Sequence, residues 1–230
     1  MIRLRNLSKW YQLRKRRCWL FRDFNLDISD GTRLGVLGMN GSGKSTMIKM
    51  LSQIEQPTRG DIDIRGAVSW PVASGSGFQP SLSGIENVRL VCRIYGILGR
   101  HMKEVSDFIY ENSEIGDFFF EPIRTYSSGM QAKYLFSLSM AFEFDIYLLD
   151  EVTAVGDGRF RERCQQWLEE RVLKATLIYA SHSLDEVKRI CNAVLVLRQG
   201  VQPRFFTDIG EGAQFYLDYL QAINKGTVST

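Results

Sequence analysis

Between Gly38 and Thr46 the sequence reads GMNGSGKST, and those residue types at that spacing can hold a chain of phosphates. Gly38, Gly41 and Gly43 permit backbone conformations closed to residues with a Cβ and bring main-chain N–H groups against anionic oxygens. Lys44 can reach the terminal phosphates, and the Ser45 hydroxyl can complete a Mg²⁺ shell otherwise made of water and phosphate oxygens. Asn40, Ser42 and Thr46 are the remaining polar members of the loop. A glycine-rich turn with a chance Lys-Ser is the alternative, but the flanks are those the chemistry needs: RLGVL (33–37) reads as a buried strand and TMIKMLSQI as a helix. That helix aims its positive end at the same anion.

Other residues can serve the same chemistry. DIYLLDE (145–151) puts Asp150 and Glu151 at the C-terminal end of a buried strand, where open α/β sheets bind ligands. Asp150 can hold Mg²⁺ through water and Glu151 can orient an attacking water; capping the next helix is the alternative. His182, in YASHS, also follows an apolar strand, where an imidazole can bond a terminal phosphate or serve the fold alone. Gln79 sits in a glycine-flanked loop. TYSSGMQ (125–131) precedes an apolar helix, so Ser127 or Ser128 is an N-cap or part of a second phosphate-binding surface.

The elements that must position these residues alternate. IRLRNL and DFNLDIS read as half-buried strands of an antiparallel N-terminal layer, with the basic segment between them as a hairpin tip. PTRG (57–60) is a turn, and DIDIRG and AVSW supply further short strands. From Leu82 to about Phe142 the pattern is mostly helical and reads as an insert. DIYLLD, FRERCQQWLEERV, ATLIYAS, SLDEVKRIC and AVLVLRQG then alternate strand and helix, which predicts a parallel sheet covered on both faces.

Composition narrows the classes. No apolar run is long enough to span a membrane, and the basic N-terminus has no apolar stretch behind it, so a spanning or exported protein is not expected. A net charge of +3 does not argue for nucleic acid. Cys18, Cys92, Cys164 and Cys191 are scattered, suggesting neither a disulfide framework nor a zinc site. NKGTVST reads as a frayed tail.

In this order the motifs resemble the nucleotide-binding subunits of ABC transporters over nearly the whole chain. GMNGSGKST looks like the Walker A loop, Gln79 the Q-loop glutamine, YSSGMQ a variant of the LSGGQ signature, YLLDE Walker B with its glutamate, AVGD (154–157) the D-loop and His182 the switch histidine. Tyr11 matches the aromatic that stacks on adenine, with Trp10 competing for that place and core packing as the alternative. The sequence departs from the usual pattern at Tyr126, Ser128 and Met130, and in AVGD where SALD is usual. These variants, with LSMAFEFDIYLLDEVTAVGD and FRERC, are similar to those of polysaccharide exporters, most of all the bacterial capsular-polysaccharide export ATPase. Because Met130 replaces the usual glutamine, the phosphate role passes only to Ser127 and the backbone of Gly129.

The resemblance implies a P-loop NTPase (RecA-like) α/β fold: a parallel-sheet core, an N-terminal antiparallel β-subdomain and a helical subdomain insert at about 82–142. It implies one nucleotide-binding domain over 1–230, without the extra carbohydrate-binding domain of O-antigen exporters. ATP and Mg²⁺ would lie between two copies of the chain, with Ser45, Gln79 and Asp150 holding the metal. Glu151, His182, Lys44 and Gln79 would serve catalysis, while Tyr11, Gly38, Asn40, Gly41, Ser42, Gly43, Lys44, Ser45, Thr46, Ser127, Gly129 and Asp157 bind nucleotide. The implied partners are a second copy and a membrane-spanning permease that makes most contact with the polysaccharide. The implied place is the cytoplasmic face of the bacterial inner membrane, peripherally bound. The same motifs leave room for an exporter of O-antigen or teichoic acid and for a soluble, non-transport ABC ATPase. A GTPase is disfavoured by the lack of an Asn-Lys-x-Asp motif. Phe118, Phe119 and Phe120 are a permease-docking surface or packing of the insert. Arg14, Lys15, Arg16 and Arg17 with Trp19 touch lipid headgroups or an acidic polymer, or form a solvated tip.

Overall fold

The computed structural model describes residues 1–14, 16–71, 78–150, 158–172 and 175–225. Its contacts fall into two units: Met1–Pro71 with Phe144–Glu151 and Arg171–Thr230, and Val72–Glu143 with Val152–Glu170.

The first unit holds two sheets. β1 (Ile2–Gln12), β2 (Arg17–Ile28) and β4 (Arg59–Ile64) form an antiparallel sheet in the order β2-β1-β4. β3 (Arg33–Leu37), β5 (Ile146–Asp150), β6 (Thr176–Ser181), β7 (Ala193–Arg198) and β8 (Val201–Phe206) form the second, in the order β5-β6-β3-β7-β8. Alternation along its strands separates two faces. Leu34, Val36, Ile146, Leu148, Ile178, Ala180 and Leu195 join one core with Met47, Ile48, Met50 and Leu51 of α1 (Lys44–Leu51) and with Leu4, Leu7, Phe21 and Phe24 of the antiparallel sheet. On the other face Gly35 meets Val187 and Cys191 around α6 (Leu184–Ile190), and Val194 meets Gly212 of α7 (Ile209–Asn224).

Several expectations need correction. β1 and β2 are longer than IRLRNL and DFNLDIS, because register shifts between Leu4 and Trp10, with positive φ at Asn6 and Asp23, break the two-residue alternation in mid-strand. Arg17 belongs to β2, so the tip is the turn closed by the Leu13 N–H on the Arg16 carbonyl, at 2.9 Å. AVSW is not a strand: only Val68 bridges β5, the Ser69 side chain takes the Leu148 N–H, and Pro71 has no N–H with which to extend pairing. The sheet is not wholly parallel. β8 pairs antiparallel to β7 as an edge strand, where the bulge between the Val196 and Arg198 pairings accommodates Pro203.

The second unit is helical: α2 (Gly84–Ile94), α3 (Gly99–Ser113), α4 (Ser128–Ala141) and α5 (Gly158–Val172), with 3₁₀ turns at Gly116–Phe120 and Ile123–Thr125. Ser83 and Glu86 cap α2 reciprocally. FRERCQQWLEERV, read above with the alternating core, packs here: the Trp167 ring stacks on Phe136 at 5.9 Å, and Arg163 bonds Glu114 at 2.6 Å, beside Lys133 at 3.0 Å. Of the three phenylalanines offered as a surface, Phe119 is core, whereas Phe118 and Phe120 are exposed.

The tight contact at Gly35 gives a direct test. A Cβ there would collide with Val187, so Gly35→Ala is expected to lower unfolding free energy by about 1–3 kcal/mol, read from the denaturation midpoint. An unchanged midpoint would contradict this packing.

Candidate functional site

The loop after β3 is shaped by what its glycines exclude. A Cβ on Gly38 would collide with the Ser42 hydroxyl and lie 2.8 Å from the Leu197 carbonyl oxygen. Gly41 and Gly43 have φ of 82° and 104°, a left-handed backbone that glycine tolerates. Gly43 is the N-cap of α1 and contributes no side-chain cap, and the first turn of α1 carries no acidic residue. The helix's positive end is therefore left to an outside anion. Lys44 is buried and donates to the carbonyls of Gly38 at 2.8 Å and Met39 at 3.3 Å. The Ser42 hydroxyl is buried with no hydrogen-bond partner among the described residues. A cradle that a Cβ would fill, together with an unsatisfied hydroxyl, is what a phosphate-bearing ligand requires.

A cavity of about 380 Å³ opens along this loop, lined by Asn40, Gly41, Gly43, Lys44, Ser45 and Thr46 and walled by Tyr11, Cys18, Leu20, Met39 and Gln199. Tyr11 donates its hydroxyl to Glu55 at 2.7 Å and lies 3.2 Å from the Thr46 hydroxyl. Burial, and then the Glu55 carboxylate, hold that phenol above its ordinary pKa, so it stays a donor. Burial opposes ionisation of Glu55, but hydrogen bonds from Lys9 and Tyr11 prevail and hold its carboxyl below the usual range. Trp10 instead packs on Trp19, with ring centroids 4.7 Å apart, so Tyr11 rather than Trp10 lines the cavity.

Sheet register brings further residues to the same edge. Leu37, just before the loop, pairs with Ser181, and exposed His182 follows directly; Asp150 at the end of β5 pairs with Ala180. The loop, the imidazole and the carboxylate thus share the C-terminal edge of the parallel strands. Glu151 and Asp157 lie outside the described residues. Gln79, Ser127 and Gly129 belong to the second unit. There the buried Asn87 clamps the Gln79 backbone, accepting its N–H at 2.9 Å and donating to its carbonyl at 3.1 Å. Ser127 caps α4, accepting the Met130 N–H at 3.2 Å, which leaves its own proton able to bond an anion. The surroundings of Gly129 are open. Tyr126, packed against Gly84, roots this helix start in the core, and burial pushes its phenol up to about 12.

Reading the sequence missed Cys18, Leu20, Met39 and Gln199. Cys18 was within reach, because it faces Tyr11 across the hairpin and Leu20 follows on the same side. Gln199 comes from the turn after β7, which no local pattern links to the loop.

An ABC transporter family model matches residues 21–154. The chain belongs to the ABC transporter family. It is an ATPase of that family. A polysialic acid transport ATP-binding protein of Escherichia coli is 41% identical over 219 residues, 95% of this chain and 97% of that one. A capsule polysaccharide export ATP-binding protein of Neisseria meningitidis is 40% identical over 216 residues, covering 94% and 98%. A teichoic acids export ATP-binding protein of Listeria innocua is 36% identical over 208 residues, 90% of this chain but 62% of that one. The fold matches a dimeric ATP-binding cassette solved with ADP and phosphate, at a TM-score of 0.76 and 22% identity over 89% of this chain and 97% of that one. Among the described residues no helix is long and apolar enough to cross a membrane.

The cavity predicts a thiol footprint. Alkylation of Cys18, followed by peptide mass spectrometry, should slow in proportion to the fraction of sites filled by ATP. Lys44→Ala should abolish that protection. A labelling rate indifferent to saturating ATP would place the nucleotide elsewhere.

Proposed function

We propose that this ATPase drives capsular polysaccharide across the bacterial inner membrane, as a nucleotide-sandwich dimer on the cytoplasmic face bound to a separate permease. The observation that carries this reading is identity of about 40% over nearly the whole chain to capsule polysaccharide and polysialic acid export ATP-binding proteins, against 36% to a teichoic acid relative. The chain is read as one nucleotide-binding domain with a helical insert at about 82–142.

Within one copy, the Gly38–Thr46 loop cradles the phosphates, Lys44 neutralises them and Tyr11 lies along the nucleoside. His182 bonds the terminal phosphate. Ser45 and Asp150 offer hard oxygen donors of the kind Mg²⁺ prefers, and the motif match adds Gln79; when bound, the ion neutralises phosphate charge. Ser127 and Gly129 of a second copy face the same phosphates, Asp157 adjoins them and Glu151 orients water. Catalysis is then positioning and charge neutralisation in a preorganised site. A cavity of about 280 Å³ on α2, floored by Leu82 and Leu90 and rimmed by Glu86, Arg89 and Arg93, is offered to the permease.

Glu151→Gln is the test. The purified variant should bind ATP, lose turnover by roughly a hundredfold or more and accumulate as a dimer on size-exclusion chromatography. In its native cell, polysaccharide should build up inside while the surface polymer falls. Unchanged surface polymer would remove the export role, and build-up of a teichoic acid or O-antigen would reassign the cargo.

A further inference from the structure

The β1–β2 hairpin carries charge that the nucleotide site does not use. On the antiparallel sheet two cations are neutralised: Arg5 pairs with Asp27 at 2.7 Å and Lys9 with Glu55 at 2.7 Å. Arg14, Arg16, Arg17, Arg22 and Arg59 are all exposed, and none has an ion pair among the described residues. Three of them are held in place. Arg22 lies 4.0 Å from the Trp19 ring centroid, and Arg17 and Arg59 lie 5.3 and 5.7 Å from that of Trp10. The two half-buried indoles face each other across the register pair Trp10–Trp19. At the apex Leu13, an apolar side chain in a turn, is 45% exposed.

A guanidinium resting on an indole keeps its N–H edge turned outward, and that planar fork matches the oxygens of a phosphate. Because stacking already restricts these side chains, less freedom remains to be lost on binding. Tryptophan at a polar boundary and a leucine tip within a basic collar are the features of a segment that settles into a bilayer interface. An acidic polymer would meet the same charge, but it gives the exposed apex no role. The indole faces a sugar would stack on are already flanked by arginine.

We propose that this hairpin is a membrane-surface anchor, in which Leu13 enters the interface and Arg14, Arg16, Arg17, Arg22 and Arg59 bind headgroup phosphates of anionic phospholipids. Leu13 and these five arginines do not line the nucleotide cavity, to which the same hairpin gives Tyr11, Cys18 and Leu20, and they hold the subunit at the bilayer independently of any permease. Its affinity weakens with salt, as exposed charges are screened.

Flotation of the full chain with vesicles tests this. Vesicles of equal parts phosphatidylcholine and phosphatidylglycerol should retain the protein, and phosphatidylcholine alone should not. Replacing three arginines together, Arg17→Gln, Arg22→Gln and Arg59→Gln, should weaken retention by roughly a hundredfold. Leu13→Ser should weaken it further, and both variants should keep ATP turnover in solution. Arg→Lys at the same three positions controls for folding and should retain most binding. Equal retention on both vesicles, or wild-type retention by the glutamine variant, would overturn the proposal. So would polygalacturonate binding as tight as the anionic vesicles at equal charge and indifferent to Leu13→Ser, an outcome that would leave a polyanion site instead.

Discussion

The close approach at Gly38 governs the geometry of the site. Strand β3 ends where the Leu197 carbonyl of β7 and the Ser42 hydroxyl leave room for hydrogen but not carbon. The chain must then reverse around an anion-sized hollow before α1 begins. Helix α1 cannot drift from that hollow, because Met47, Ile48, Met50 and Leu51 are sealed into the core against both sheets. Close-packed interiors transmit position, so burial of one apolar helix face fixes the direction of its positive end. The parallel register of β3, β6 and β5 does the rest, carrying His182 and Asp150 to the same edge by strand pairing alone.

The second unit solves a matching problem with different means. Its loops are held by buried amides and caps: Asn87 grips the Gln79 backbone, and Ser127 closes the start of α4. In both places the backbone is satisfied locally while a polar function stays available. Ser127 illustrates the economy, since one oxygen can accept the Met130 N–H while its proton serves an external acceptor. Helix capping and phosphate binding are therefore compatible readings of this residue, and the motif alone could not separate them.

The sequence made legible whatever depends on short-range pattern. Glycine spacing revealed the phosphate loop, an unbroken apolar run revealed β5, and alternation of elements revealed the parallel core. The failures share a physical cause: they depend on pairings set elsewhere in the chain. Asn6 and Asp23 break the two-residue rhythm of β1 and β2, so the segments legible in the sequence reach no further toward the hairpin tip than Leu7 and Asp23. Pro203 argues against a strand until the edge position and bulge of β8 are known. Gln199 and Cys18 join the cavity wall because a turn after β7 meets β2, at 3.3 Å between amide and sulfur across 181 residues of sequence. Trp10 and Tyr11 are adjacent in sequence, and only the pairing across the hairpin decides which of them faces the nucleotide loop.

Charge gives the sharpest contrast between what composition conceals and what structure separates. With 29 basic and 26 acidic residues, the sum suggests no anionic partner. Interactions among exposed charges fade over about 10 Å at moderate salt, so the local arrangement matters more than the total. Around the Tyr11 wall, Lys9, Glu55 and Tyr11 satisfy one another and are spent on holding the cavity open. Only a strand's width away, on the Trp10 side, arginines are propped on indoles rather than neutralised by carboxylates. Stacking fixes the direction of a cation without cancelling its charge, whereas an ion pair does both. A surface that orients its cations while leaving them unneutralised is organised toward an anion outside the chain, and the near-balance of the whole sequence is no argument against it.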